Sequence, residues 1–391
     1  MGKNEIQTNC RHFNGYKPCG KAQNCNSLCG HFDEIQNSLL IVHLGALGAV
    51  IRSTALLAPI KRKFPKSKIT WVTDAPAHHL LKDHPLIDKV LTTSMEDMLS
   101  LSCYEFEAAF VIDKGAKAVG VLKQTRADLM YGFQINVKTQ SVEPATEAAR
   151  ELWTLGLDNH KKFFVNKKTE LQLIHEALEL GPYFRDDYYV PLTAKEQKEV
   201  QARRKGWLRS DKIILGINTG CANVIPYKKL SIDFHRELIQ DLARTGKYQI
   251  VLLGGPEDKV RNEKIAYGLP VIQSATNQGL RDGLISVDAC DLILTGDSLG
   301  MHMAIARKKW VVAWFGPTCD HEIELFDRGV AIKSQAPCSP CWKRSCSKTT
   351  MCYDLVAKEE IYQALTRGEN WHRSQSENTL FSKPLSLATC Y

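Results

Sequence analysis

"DLILTGDSLGMHMAIARKKWVVAWFGPT", Asp291–Thr318, reads as strand, turn, helix and strand. An apolar run ends at Thr295. Gly296, Asp297, Ser298 and Gly300 form a small-residue turn, and a helix begins near Met301. A second apolar run, Trp310 to Phe315, stops at Gly316-Pro317. Two strands joined through a helix belong to a parallel sheet. The free N–H groups and dipole at the start of such a helix favour an anion, above all a phosphate. His302, in the first turn, adds a donor. Thr295, Gly296, Asp297, Ser298 and His302 are therefore candidate phosphate-side residues. The competing reading is a tight strand–helix connection with an Asp or Ser cap and nothing bound.

The same alternation extends upstream. "KIILGINTG" (212–220), "YQIVLLGG" (248–255) and "PVIQS" (270–274) read as strands. "SIDFHRELIQDLARTG" (231–246), "EDKVRNEKIAYG" (257–268) and "GLRDGLISVDAC" (279–290) read as helices. Thr193 and Glu196 have capping-box spacing before another helix. The first half has its own series. "SLLIV" (38–42) is a strand and leads through Gly45 and Gly48 into a helical pattern that runs to Phe64. "KITWVTD" (68–74), "IDKVLT" (87–92), "EFEAAFVID" (105–113) and "DLMYGF" (128–133) follow as strands. "PAHHLLKDH" (76–84) and "PATEAARELWTLGL" (144–157) follow as helices. Strands alternating with helices predict an α/β fold with parallel sheets. Two series predict two Rossmann-like domains facing a cleft, with ligands beyond the carboxyl ends of the strands. The domain reading is a cysteine-rich segment at 1–37, an N-terminal domain at 38–185, a C-terminal domain at 186–370 and a loosely ordered tail at 371–391.

The chain has 391 residues, 44% hydrophobic and 24% charged, which is globular composition. No apolar run reaches the length of a membrane-spanning helix. The first residues lack the apolar core of a signal peptide, and Gly2 is not followed by the Ser or Thr of a myristoylation pattern. The expected location is cytoplasmic. A net charge of +8 suits anionic partners. No dense basic block with interleaved aromatics speaks for nucleic acid, so no nucleic-acid partner is expected.

The segment from Thr295 to Thr318 resembles the hallmark of glycosyltransferase family nine, the heptosyltransferase-like enzymes: T-x-D-S-G-P-x-H, two alanines, then a strand ending F-G-P-T. Thr295, Asp297, Ser298, His302, Ala304, Ala306 and Phe315 to Thr318 fit, whereas Leu299-Gly300 replaces Gly-Pro. The resemblance runs from Leu39 to about Leu365. "GINTGCANVIPYKKLSIDFHRELIQDL" is similar to the segment carrying a substrate-binding lysine, here Lys228 or Lys229. "VLLGGPED" is similar to the turn whose acid meets the ribose, here Glu257 or Asp258. The resemblance implies a GT-B arrangement, with the sugar nucleotide on the C-terminal domain and the acceptor on the N-terminal one. It implies inverting transfer of a sugar, a heptose being one candidate, to a cell-envelope glycan or lipid-linked acceptor as in lipopolysaccharide biosynthesis, with no catalytic divalent metal. A lipid-linked acceptor implies peripheral contact at the inner face of the membrane.

One departure bears on mechanism. The family's first loop is G-x-x-G-D, and the aspartate is thought to be the base. Here Gly45 and Gly48 are followed by Ala49, which cannot move a proton. Three readings stay open. The base has moved, with Asp113 the first candidate and Asp74 and His43 behind it. The acceptor hydroxyl needs little help. Or the protein binds nucleotide sugars without turning them over. Further alternatives, a sugar-nucleotide epimerase and a nicotinamide oxidoreductase, share the architecture, but the first loop lacks a full G-x-G-x-x-G.

Thirteen cysteines are many. Cys103, Cys221, Cys290, Cys319 and Cys390 are scattered, as small apolar residues would be. Cys338, Cys341, Cys346 and Cys352 have the spacing C-x2-C-x4-C-x5-C, a metal-site pattern. Some members of the resembled family carry a cysteine metal finger in this region. Cys10, Cys19, Cys25 and Cys29 form the looser C-x8-C-x5-C-x3-C. Zinc or iron at one or both clusters is expected to be structural.

Overall fold

The run Ser38 to Val42 makes up all but the first residue of a strand that is buried from Leu39 on: Leu39, Leu40 and Val42 are inaccessible to solvent. This strand, β1 (Asn37–Val42), pairs in parallel with β2 (Ser67–Thr73) on one side and with β4 (Glu105–Val111) on the other. In this computed structural model, which describes residues 5–208 and 211–381, the chain divides after Asp187 into two units. The N-terminal sheet has the order β3-β2-β1-β4-β5-β6, with β3 (Lys89–Thr92), β5 (Arg126–Asn136) and β6 (Ser141–Pro144). The first five strands are parallel. β6 runs antiparallel to β5, which corrects the all-parallel expectation for this sheet. The short, polar "SVEP" carries no strand signal of its own. It is turned back by Asn136, whose side-chain oxygen accepts the N–H groups of Lys138 and Thr139.

The helix expected after the glycine turn, running to Phe64, starts earlier and is broken. It runs Leu47–Ser53, tightens into a 3-10 turn at Thr54–Leu56, and resumes at Leu57–Lys63. Pro59 has no N–H to return to the preceding turn, and the Thr54 hydroxyl donates back to the Ile51 carbonyl at 2.6 Å. The cysteine-rich segment is pinned to this unit by Arg11, which donates to Asp33 at 3.0 Å, to Asp88 at 2.5 Å and to the Ser67 carbonyl at 3.0 Å.

The C-terminal sheet is wholly parallel, with the order β12-β11-β10-β7-β8-β9. Its strands are β7 (Ile213–Asn218), β8 (Tyr248–Leu253), β9 (Ile272–Gln273), β10 (Leu292–Gly296), β11 (Trp310–Phe315) and β12 (Gly329–Lys333). The central strands β7, β8, β10 and β11 supply its core, including Leu215, Ile217, Leu252, Leu294 and Val312. The tail expected to be loose from residue 371 is instead helical to Phe381, within the helix Lys358–Phe381. That helix is held on the sheet. The Trp310 indole donates to the Ala364 carbonyl at 3.1 Å, Trp371 packs on Trp310, and buried Glu369 accepts from Tyr248 and Lys247. Cys390 lies outside the described residues.

Candidate functional site

In the C-terminal unit the central strands β7 and β10 are neighbours, so their carboxyl ends meet. The side-chain amide of Asn218, which ends β7, donates to Thr295 Oγ1 at 3.2 Å and to Ser298 Oγ at 3.0 Å. Ser298 caps the helix Leu299–Ala306, which begins slightly earlier than expected, by accepting the Met301 N–H. The turn thus has a fixed shape at the start of the helix. Sequence reasoning passed over Asn218; its only signal was its place at a strand's end before Thr219-Gly220.

Two loops converge on this turn. Lys228 Nζ reaches Asp297 Oδ2 at 3.2 Å, and the Lys228 carbonyl lies so close to Gly296 that any Cβ there would collide with it. Burial pushes the Asp297 carboxyl up, but the nearby Lys228, with His302 behind it, outweighs this and holds the group below its usual range. His302 is buried, its ring stacked on Tyr188 at 6.1 Å. Lys229 takes a different partner, Asp258, at 3.8 Å. Asp258 is buried, accepts the Gly255 N–H at 3.0 Å, and sits where only a glycine at 220 leaves it room. Glu257 is exposed at the same turn. The structure therefore separates both sequence pairs. Lys228 joins the Thr295–His302 turn, whereas Lys229 and Asp258 brace each other. Glu257 is left open to a ligand.

In the N-terminal unit the glycine loop follows β1. Gly45 lies in the loop, whereas Gly48 and Ala49 are already inside the helix Leu47–Ser53, whose N-terminus has no side-chain cap and no acid in its first turn. The carboxylate that reaches this loop comes from the neighbouring strand end. Asp113 Oδ2 accepts the Leu44 N–H at 2.5 Å, and its Oδ1 lies 3.6 Å from His43 Nε2. Burial raises the Asp113 carboxyl to about 6, Leu44 pulling it down and Asp74 pushing it up. Asp74 is engaged elsewhere, accepting from Lys117 at 2.7 Å and from Thr93 at 2.5 Å. These bonds overcome burial and keep it low. His43 is buried and pushed down to about 3 by burial and by Arg52. It is a neutral wall of the loop. Asp113 alone among the three keeps an accessible carboxylate able to take a proton near neutral pH.

Cys338, Cys341, Cys346 and Cys352 line one cavity of about 440 Å³ together with Tyr227, Gly316 and Pro317. Burial, followed by the nearby Cys341, Cys338 and Cys346, pushes the Cys352 thiol up to about 11. The Pro317 carbonyl accepts the N–H groups of Cys341 and Trp342, and the Tyr227 hydroxyl accepts that of Cys346 at 3.2 Å. The finger is thus tied both to the end of β11 and to the loop that carries Lys228. Among the described residues no group of three or more His, Cys, Asp or Glu side chains is drawn together at metal-binding spacing. Cys10, Cys19, Cys25 and Cys29 are unbridged and partly exposed.

The sequence model of glycosyltransferase family 9 (heptosyltransferase) matches residues 104–351. The chain is 32% identical to lipopolysaccharide heptosyltransferase 2 of Salmonella typhimurium over 297 residues, 72% of this chain and 83% of that protein. Among solved structures, a family 9 glycosyltransferase from Veillonella parvula superposes with a TM-score of 0.67 at 17% identity, covering 86% of this chain and 98% of that one. The E. coli ADP-heptose lps heptosyltransferase II superposes at 0.60 and 18% identity, covering 85% and 100%.

Proposed function

The chain belongs to glycosyltransferase family 9, and from that premise we propose that it moves a heptose from a nucleotide-activated donor to a lipid-linked cell-envelope glycan, with inversion at the anomeric carbon. What carries the reading is the Gly296–Ser298 turn: a capped helix N-terminus beside an ammonium, the arrangement a departing diphosphate needs. The heptose rests on the names of the similar proteins.

In the proposed reaction the acceptor oxygen attacks the anomeric carbon as the bond to the nucleoside diphosphate breaks. The acceptor proton passes to Asp113. The negative charge that grows on the leaving group is met by Lys228 and by the N–H groups after Ser298, with His302 beside them. Glu257 is the acid available to the ribose. These groups supply the charge balance, so no divalent cation is given a step in the transfer.

Calorimetric titration with a panel of nucleoside diphosphates and nucleotide sugars tests the donor side. Binding of an ADP-sugar, weakened about tenfold or more in His302→Ala through loss of a donor near the phosphates, is the expected result. No heat with any nucleotide would remove the reading.

Four cysteines lining one cavity are the residue type that zinc or iron takes, and we propose Cys338, Cys341, Cys346 and Cys352 as its ligands, drawn together when the ion binds. A bound ion would supply folding energy to a stretch that has little core of its own. Elemental analysis should find about one equivalent of zinc or iron per chain at this site, lost in Cys341→Ser. A second equivalent, lost in Cys25→Ser, would place another ion at Cys10, Cys19, Cys25 and Cys29.

A further inference from the structure

The stretch "LDNHKKFFVNKK", Leu157 to Lys168, joins two helices of the N-terminal unit and took no part in the site described above. It is a built protrusion. Asp158 accepts the Lys161 N–H through its side chain and the Lys162 N–H through its carbonyl. A helical turn follows over Lys161–Val165. Buried Asn166 closes it, donating to the Lys168 carbonyl and accepting the Lys168 N–H. At its tip three large apolar side chains face water: Leu157 is 70% exposed, Phe164 53% and Val165 56%. His160 and Phe163 pack against the Phe164 ring and hold it in place.

Charge around the apolar tip is predominantly positive, four lysines of the stretch against Asp158. Lys161 and Lys167 are exposed on either side, with Lys162 and Lys168 between and after them. The acids at its base are already matched: Glu151 and Glu176 both hold Lys168 at 2.7 Å, and Glu170 holds Arg52 at 2.8 Å. Another exposed apolar pair in this unit, Met95 and Leu99, is flanked by Glu96 and Asp97 and has the opposite sign. Lys114, next to Asp113, donates to the Leu152 carbonyl at 3.0 Å, so the protrusion is rooted beside the strand end that bears the proposed base.

We infer that the Leu157–Lys168 protrusion docks on an anionic lipid surface, Phe164, Val165 and Leu157 entering the interface while Lys161, Lys162 and Lys167 meet the headgroups. A fixed apolar tip ringed by lysines matches a negatively charged bilayer in both respects. The inference rests on the lipid-linked-acceptor reading for its purpose, but its surface comes from these residues alone.

The test is cosedimentation of the full chain with phosphatidylcholine vesicles, with and without phosphatidylglycerol, no donor or acceptor being present. Binding should require phosphatidylglycerol and weaken with salt. Phe164→Glu/Val165→Glu should lower the apparent affinity about tenfold or more. Lys161→Glu/Lys167→Glu, which removes no apolar side chain and only a long bond from Lys167 to the Phe164 carbonyl at 3.4 Å, should lower it comparably with a melting temperature close to wild type. Absence of binding to the anionic vesicles, or wild-type binding by both variants, overturns the inference. So does a wild-type chain that self-associates through this surface, seen as a dimer in sedimentation that Phe164→Glu/Val165→Glu dissolves, with no vesicle binding. Nucleotide titration of the same samples separates the two proposals. Lost vesicle binding with intact nucleotide binding strikes only this one, and the reverse strikes only the transferase reading.

Discussion

Asp113→Asn lowers kcat about a hundred- to ten-thousandfold, the usual range for a lost general base, and leaves donor affinity within a factor of about two. The asparagine oxygen still accepts the Leu44 N–H, so the glycine loop keeps its anchor. What disappears is the group that can hold a proton. The pH dependence identifies it. With the wild-type carboxyl raised to about 6 by burial, a base is usable only when ionised. Activity therefore climbs with pH through about 6 and levels above it, and in Asp113→Asn that limb is gone. Asp74 and His43 are titratable groups near it, and both titrate below this window. Stability moves the other way. Because the folded carboxyl is raised above its unfolded value, the folded state is favoured most below the unfolded value. That advantage is lost as pH rises through about 6. The asparagine variant therefore melts no lower than wild type at neutral pH, which separates lost chemistry from lost fold. A fully active Asp113→Asn would mean that the acceptor hydroxyl reacts unaided.

Lys228→Ala costs transfer about a hundred- to thousandfold, the magnitude seen when a fixed donor to developing charge is removed, and weakens nucleoside diphosphate binding. It also strips Asp297 of its cation. Burial then acts on that carboxyl with its largest opposing charge gone, so its proton affinity rises. Lys229→Ala is the matched control. Its ammonium braces Asp258, so its loss should appear as a lower melting temperature with kcat nearly retained. The reverse outcome, activity lost with Lys229 and kept without Lys228, would reassign the leaving-group lysine.

Much of this was readable in the chain because buried parallel strands are written as apolar runs ending at small residues. Leu39–Val42, Ile250–Leu253 and Leu292–Thr295 are of that kind. The strands missed, β6 and β12, lie at sheet edges and are short and half-exposed, so neither alternation nor a continuous apolar run marks them. The final helix left no clear mark in the sequence because Gly368 and the polar residues after it weaken its period. Gly368 is there because the Trp310 ring presses on its backbone. At the site, residues local to one turn, Thr295 to His302, were legible together. Asp113 was legible only as a candidate, since its reach to Leu44 depends on β4 lying beside β1, a matter of strand order and not of sequence spacing. The choice between Lys228 and Lys229 was likewise hidden. Adjacent residues on an irregular turn point to different partners, and no periodicity tells which.

The hydrogen bond from Cys346 to the Tyr227 hydroxyl spans 119 residues, whereas Lys228 and Asp297 are 69 apart. During synthesis the lysine loop leaves the ribosome long before its outer tether exists. Its inner partner arrives next, and the finger arrives last. A chain whose cysteines are oxidised before they are gathered lacks that outer tether. It leaves the loop before Lys228 held on one side only. Completion of the finger is thus the last step in fixing the loop that carries Lys228.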